Sequence, residues 1–227
     1  MAYISDCDAD ADADADAAAA AVGVDATEGA GGGAGASPPA TLKILIAGGF
    51  GAGKTTFVGA VSEIEPLSTE ELLSGLSESA DALEGVEAKT ATTVALDFGR
   101  ITLDERHVLY LFGTPGQQRF WFLWEEMCVG ALGAVVLADT RRLADCFPAV
   151  DFFERRGIGF IVAVNEFDGA HRYTPDEVRA AVGLGPGVPV VRCDARSSSS
   201  GTGTLAALVR HLLNTSSSSS SEPGEPP

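Results

Sequence analysis

Gly48-Gly49-Phe50-Gly51-Ala52-Gly53-Lys54-Thr55-Thr56 is the stretch whose reading decides the fold. Gly48, Gly53, Lys54 and Thr55 stand at the fixed positions of G-x-x-x-x-G-K-[ST]. The apolar run Leu42-Lys43-Ile44-Leu45-Ile46-Ala47 precedes it and reads as a buried strand. Thr56-Phe57-Val58-Gly59-Ala60-Val61 follows with a helical pattern. A glycine loop between strand and helix turns its N–H groups inward, at the positive end of the helix dipole, and so cradles phosphate. Gly48, Phe50, Gly51, Ala52, Gly53 and Thr56 then supply the cradle. Lys54 reaches the β and γ phosphates and takes a catalytic part, while the Thr55 hydroxyl ligates Mg²⁺. The dinucleotide fingerprint G-x-G-x-x-G fits less well. Started at Gly49, it requires a glycine where Lys54 stands.

Outward from this loop, apolar strands alternate with helical patterns. Residues 94–99 and 107–112 read as two strands of an antiparallel pair, turning around Asp104-Glu105. Residues 133–139 and 160–164 are continuous apolar runs, as in a sheet covered on both faces. Residues 188–192 read as the last strand and 205–213 as the last helix, with Thr202 or Thr204 as its cap. A helix is expected over 147–156. Thr174-Pro175-Asp176-Glu177 is a helix start, with cap, proline and acids in order. The pattern predicts an α/β fold of three layers, its mostly parallel sheet holding about six strands and one antiparallel pair. Ligands of such sheets sit at the strands' carboxyl ends.

Composition sets the domain limits. Asp-Ala alternation from Asp8 to Asp16, then Ala and Gly, make 1–40 an acidic tail too poor in apolar surface to fold. The serine run and Pro-Gly end make 215–227 a second tail. The domain between them is 41–214. Its segment 63–87 is polar and acidic, with leucines that suggest a short helix or two. The formal charge is −17 for the chain, and −7 remains once the acids of both tails are removed. That balance disfavours nucleic acid and anionic membrane as partners. Cys7, Cys128, Cys146 and Cys193 lack metal-ligand spacing and read as reduced thiols, and His107, His171 and His211 form no cluster. The sequence offers no membrane span, no secretory leader and no lipidation motif.

Four further stretches lie at or beside strand ends. Thr93, with Thr92 as second choice, can bind Mg²⁺ and sense a third phosphate. In Gly113-Thr114-Pro115-Gly116-Gln117, Gly116 can offer its N–H to the γ-phosphate and Gln117 can orient the attacking water. In Asn165-Glu166-Phe167-Asp168, Asp168 can accept from guanine N1–H and the 2-amino group, and Asn165 braces loop and base. Adenine lacks both donors. In Cys193-Asp194-Ala195-Arg196, the Ala195 N–H can meet guanine O6.

Taken in this order, the stretches resemble the motif series of the small Ras-like GTPases. The wording of 41–51, 92–101 and 111–117 is closer to the conservon GTPases of actinobacteria, relatives of the Mgl-type bacterial GTPases. Ala-Asp-Thr-Arg-Arg-Leu (138–143) and Phe-Asp-Gly-Ala-His-Arg-Tyr (167–173) fit the same family. The resemblance spans about 41–214. It implies a GTP-binding and GTP-hydrolysing switch of slow turnover, with GTP/GDP and Mg²⁺ bound. It also implies a roadblock-type regulatory partner and a sensor-kinase-like membrane complex, hence a cytoplasmic protein held near the membrane through partners.

Two departures from the general pattern stand out. Gly113 occupies the place of an aspartate that holds Mg²⁺ through water, which predicts weaker Mg²⁺ binding or a substitute ligand, Asp97 being the nearest in sequence. Glu166 replaces the usual lysine of N-K-x-D, and Phe167 can cover the base instead or join the core. Arg119 is a candidate internal arginine finger. Phe120, Leu123, Trp124 and Met127 form one helical face, expected in the core, which leaves Trp121 and Phe122 as a candidate partner surface. Arg141-Arg142 and Arg155-Arg156 read as solvated helix ends or a basic patch. Two alternatives stay open: an ATP-using enzyme with the same loop, and a nucleotide-bound scaffold that does not hydrolyse.

Overall fold

A strand covered on both faces is apolar at consecutive positions, and the odd and even residues then belong to different layers. The computed structural model describes residues 38–65, 67–68, 96–116, 120 and 122–219. Its strands are β1 (Ala40–Gly48), β2 (Leu67–Ser68), β3 (Asp97–Thr102), β4 (His107–Gly113), β5 (Gly133–Ala138), β6 (Phe160–Asn165) and β7 (Val190–Cys193). Its helices are α1 (Lys54–Val61), α2 (Phe122–Met127), α3 (Phe147–Arg156), α4 (Pro175–Val182) and α5 (Ser198–Ser219), with a 3-10 helix over Thr140–Cys146. The expected stretches 1–37, 69–95 and 220–227, and with them Thr92 and Thr93, lie outside the described residues, as do Gln117, Arg119 and Trp121.

The sheet runs β2-β3-β4-β1-β5-β6-β7. β4, β1, β5, β6 and β7 are mutually parallel. β3 pairs with β4 antiparallel, as expected, and the two-residue β2 adds to the edge beside β3. One face packs Ile44, Ile46, Val135, Leu137, Ile161 and Ala163 against Phe57 and Val58 of α1 and Leu205 and Leu208 of α5. The other packs Leu45, Ala47, Val136, Ala138, Val162 and Val164 against Trp124, Phe153 and Val178 of α2, α3 and α4. The fold is therefore a three-layer α/β sandwich of the phosphate-loop type. Among the described residues, no helix is long and apolar enough to cross a membrane.

Several local expectations meet their residues. Asp104 turns the β3–β4 hairpin by accepting the N–H groups of Arg106 and His107. Thr174 and Glu177 form a reciprocal capping box on α4. Trp124 is buried, Phe120, Leu123 and Met127 are half-buried, and Phe122 is 66% exposed. Cys128, Cys146 and Cys193 are free thiols, and burial pushes the Cys146 thiol up to about 12.

The last helix departs from the expected 205–213. It begins at Ser198 and runs to Ser219. Thr202 and Thr204 are not caps: their hydroxyls donate back to the carbonyls of Ser198 and Ser200. At the other end the Thr215, Ser216 and Ser217 hydroxyls do the same, which carries the helix into the serine run. Gly201 is inside the helix because α1 lies against it. A Cβ there would stand 2.3 Å from Val61 Cγ1. Gly203, two residues on, has nothing within 4 Å. The two alanine variants should therefore part company in urea denaturation. Gly201→Ala should destabilise by about 1–3 kcal/mol through overpacking. Gly203→Ala should stabilise by up to about 1 kcal/mol through helix propensity.

Candidate functional site

The carboxyl ends of β1, β4, β5, β6 and β7 share one edge of the sheet, and the candidate residues that the structure describes converge there. β1 ends in Gly48 at φ 137°, where a Cβ would sit 2.4 Å from the Leu137 carbonyl oxygen. Gly51 (φ 73°) and Gly53 (φ 102°) complete the reversal, and Gly53 starts α1. Only glycine takes these turns without strain. Lys54 folds back over the loop, and its ammonium donates to the carbonyls of Gly48 at 3.0 Å and Gly49 at 2.8 Å. Burial pushes this ammonium down to about 8, with the charge of Asp97 pulling the other way. Thr55 and Thr56 are exposed, and so is Phe50 at the mouth of the loop.

Thr55 Oγ1 donates to Asp97 Oδ2 at 2.8 Å, so a hydroxyl and a carboxylate meet beside the loop. Both are hard oxygen donors, the kind Mg²⁺ takes. Gly116 lies directly on the loop: a Cβ there would stand 2.9 Å from Lys54 Nζ and 3.0 Å from the Phe50 nitrogen. The preceding Pro115 is held by the Trp124 indole N–H, which donates to its carbonyl at 3.2 Å.

On the base side, Asn165 joins three elements. Its Nδ2 donates to the Ala52 carbonyl at 3.0 Å, and its Oδ1 accepts the Ala195 N–H at 3.1 Å. The loop half of the bracing expected of Asn165 is thus present. The Ala195 N–H, expected to meet a base oxygen, is turned to Asn165 instead. Asp168 projects into solvent, its side chain 87% exposed, and accepts from Arg196 Nη1 at 2.7 Å and Nη2 at 3.3 Å. That pairing holds the Asp168 carboxyl below the usual range. Glu166 turns the other way, to Arg192.

The paired arginines of 138–143 do more than the sequence reading expected. They are exposed in the first turn of the 3-10 helix, and each is also tied to specific partners. Arg141 makes a two-pronged pair with buried Asp139 and lays its guanidinium 3.8 Å over the Phe167 ring. Phe167 is thereby covered by Arg141 on one face. Arg142 sits at a kink of the 3-10 helix and donates to the Phe50 carbonyl at 2.7 Å. Arg155 donates to the Asp151 carbonyl and Arg156 pairs with Glu125. The 3-10 helix thus braces the phosphate loop with one arginine and the base loop with its neighbour. Thr-Arg-Arg after a strand end was the only available signal. An apolar cavity of about 450 Å³ among Leu132, Ile158, Phe160, Val188 and Leu212 lies at the far end of the sheet and contributes nothing to this site.

The arrangement can hold a polyphosphate over the loop and a divalent cation beside Thr55, with Asp168 and its two acceptor oxygens next to them in the loop after β6. The depressed Lys54 gives a pH signature. In the empty loop Lys54 loses its proton through about pH 8. Bound phosphate favours the ammonium, so binding takes up a proton above that pH and affinity falls as pH rises. Fluorescence titration with a nucleoside diphosphate should weaken about tenfold from pH 7 to pH 9. A Lys54→Ala variant should bind less tightly and show a flat profile.

Comparison with known proteins agrees with this geometry. The family described as "conserved hypothetical ATP binding protein" matches residues 46–215. An uncharacterized protein of Methanocaldococcus jannaschii is 28% identical over 129 residues, 56% of this chain and 71% of the relative. Among solved structures, the G domain of the T. maritima FeoB iron transporter aligns at 17% identity with a TM-score of 0.51, over 76% of this chain and 99% of that one. The FeoB G-domain from Methanococcus jannaschii aligns at 16% identity with a TM-score of 0.50, over 77% of this chain and 98% of that one. At such identities the likeness is one of fold, that of a phosphate-loop G domain. The match over 46–215 covers most of the chain, which therefore belongs to the conserved hypothetical ATP binding protein family.

Proposed function

We propose that this chain binds guanine nucleotide, hydrolyses GTP slowly and works as a switch. The observation that carries the reading is the state of Asp168. Its two oxygens already accept a pair of parallel N–H donors from Arg196. Guanine presents the same pattern with N1–H and its 2-amino group, whereas adenine presents neither donor there. Nucleotide entry then exchanges one two-donor partner for another. The freed guanidinium keeps Asp194, which it contacts at 2.9 Å. The family description names ATP; the two acceptor oxygens of Asp168 support guanine instead.

In this mechanism the N–H groups of the loop and the Lys54 ammonium hold the β and γ phosphates. Lys54 exchanges the carbonyls of Gly48 and Gly49 for phosphate oxygen. A bound Mg²⁺ would supply positive charge against the phosphate oxygens. Thr55 would hold it, and Thr93 is the proposed second hydroxyl. Gly116, which lies against the loop, is the proposed sensor of a third phosphate. Gln117 follows it and is the proposed water-positioning residue, so the loops around Thr93 and Gln117 are the moving parts of the switch. The wording of the motifs supports a place near the conservon and Mgl-type GTPases, and from it a roadblock-type regulator and a membrane-associated complex reached through partners.

Asp168 also supplies the test. Asparagine at 168 offers one acceptor and one donor instead of two acceptors, which suits xanthine, with a carbonyl at C2, better than guanine. Asp168→Asn should lose GDP affinity on the order of 100-fold. It should gain xanthosine diphosphate, read by displacement of a fluorescent nucleotide. Unchanged GDP affinity in this variant would contradict the reading.

A further inference from the structure

Gly113 stands where relatives by motif place a metal-holding aspartate, and the structure shows what fills that space. Asp97 opens β3 at the carboxyl edge of the sheet and is the register partner of Gly113 across the antiparallel ladder. Directly opposed Cβ atoms in such a ladder usually lie about 4.5–5.5 Å apart. Here a Cβ on residue 113 would meet Asp97 Oδ2 at 2.8 Å and Asp97 Cβ at 2.9 Å. The Asp97 side chain thus lies across the position a residue-113 side chain would take. The glycine and the carboxylate are reciprocal: one cannot gain a side chain while the other keeps its own.

The carboxylate is aimed at the metal side of the loop. Asp97 Oδ2 lies 2.8 Å from Thr55 Oγ1. Mg²⁺ demands octahedral geometry with bonds of about 2.0–2.1 Å, so neighbouring ligand oxygens are about 2.8–3.0 Å apart. The two oxygens already sit one octahedral edge apart, and in the absence of a cation the Thr55 hydroxyl proton bridges them. We propose that Asp97 is the carboxylate of the Mg²⁺ site, moved from the end of β4 to the start of the adjacent β3. This rests on the nucleotide-binding reading above, since Thr55 and the bound phosphates complete the site. Asp97 and Gly113 then form one functional pair, with the charge on either strand and the glycine opposite.

Mg²⁺ affinity is read directly from the Mg²⁺ concentration that half-maximally slows release of N-methylanthraniloyl-GDP from the full chain. Asp97→Asn keeps the shape and the acceptor for Thr55 but removes the charge. It should raise that concentration by about tenfold or more, while nucleotide release in excess EDTA stays near wild type. The exchanged double variant, Asp97→Gly with Gly113→Asp, returns the carboxylate to β4. It should recover most of the loss. An Asp97→Asn protein with wild-type Mg²⁺ dependence overturns the proposal, as does an exchanged variant that stays at the Asn level. A wild type that binds no labelled GDP with or without Mg²⁺ overturns the guanine reading, and this proposal with it.

Discussion

One buried carboxamide holds the site in one piece. Asn165 is 5% exposed and carries a donor and an acceptor on the same group. The donor is spent on Ala52 in the phosphate loop and the acceptor on Ala195 beyond β7. The phosphate end and the base end are therefore fixed relative to one another by a single side chain at the end of β6. An aspartate in its place would leave the Ala52 carbonyl without its donor, and water cannot reach in to compensate. Gly53 belongs to the same junction. A Cβ there would strike Asn165 Nδ2 at 2.4 Å, so the loop can close on Asn165 only with glycine at 53.

A chain of formal charge −17 makes an unlikely receptor for a polyanion, and the site answers this locally. Backbone N–H groups and the helix dipole of α1 supply most of the attraction, and neither depends on net charge. The arginines at this edge are each held by an acid: Arg141 by Asp139, Arg142 by Asp145, Arg196 by Asp194 and Asp168. They brace loops and do not present a bare cationic face. Lys54 is the contrast. Its ammonium donates to the carbonyls of Gly48 and Gly49, and burial lowers its pKa.

The phosphate loop, the two-faced sheet and the antiparallel pair were legible in the sequence because each rests on local rules: glycine spacing, runs of apolar residues, and a turn at Asp104. Thr174 and Glu177 were legible for the same reason. What escaped is non-local. Nothing near Arg142 says that its guanidinium meets a carbonyl 92 residues away in the loop. The expected helix began only at 205, and the approach of Val61 to Gly201 shows that its earlier turns are packed against α1. The reach of α5 into the serine run depends on hydroxyls bonding back along a helix already fixed by packing. Gly113 looked like a loss until the strand register placed Asp97 opposite it.

On the proposed function, this edge of the sheet selects guanine and turns over its triphosphate. Single-turnover release of phosphate from stoichiometric GTP and, separately, ATP tests both halves together. Slow release from GTP is expected, with none from ATP at the same concentration and loss of the GTP signal in Gln117→Leu. Equal release from ATP would contradict the assignment of Asp168. Tight binding of GTP with no release at all would contradict the assignment of a hydrolytic switch.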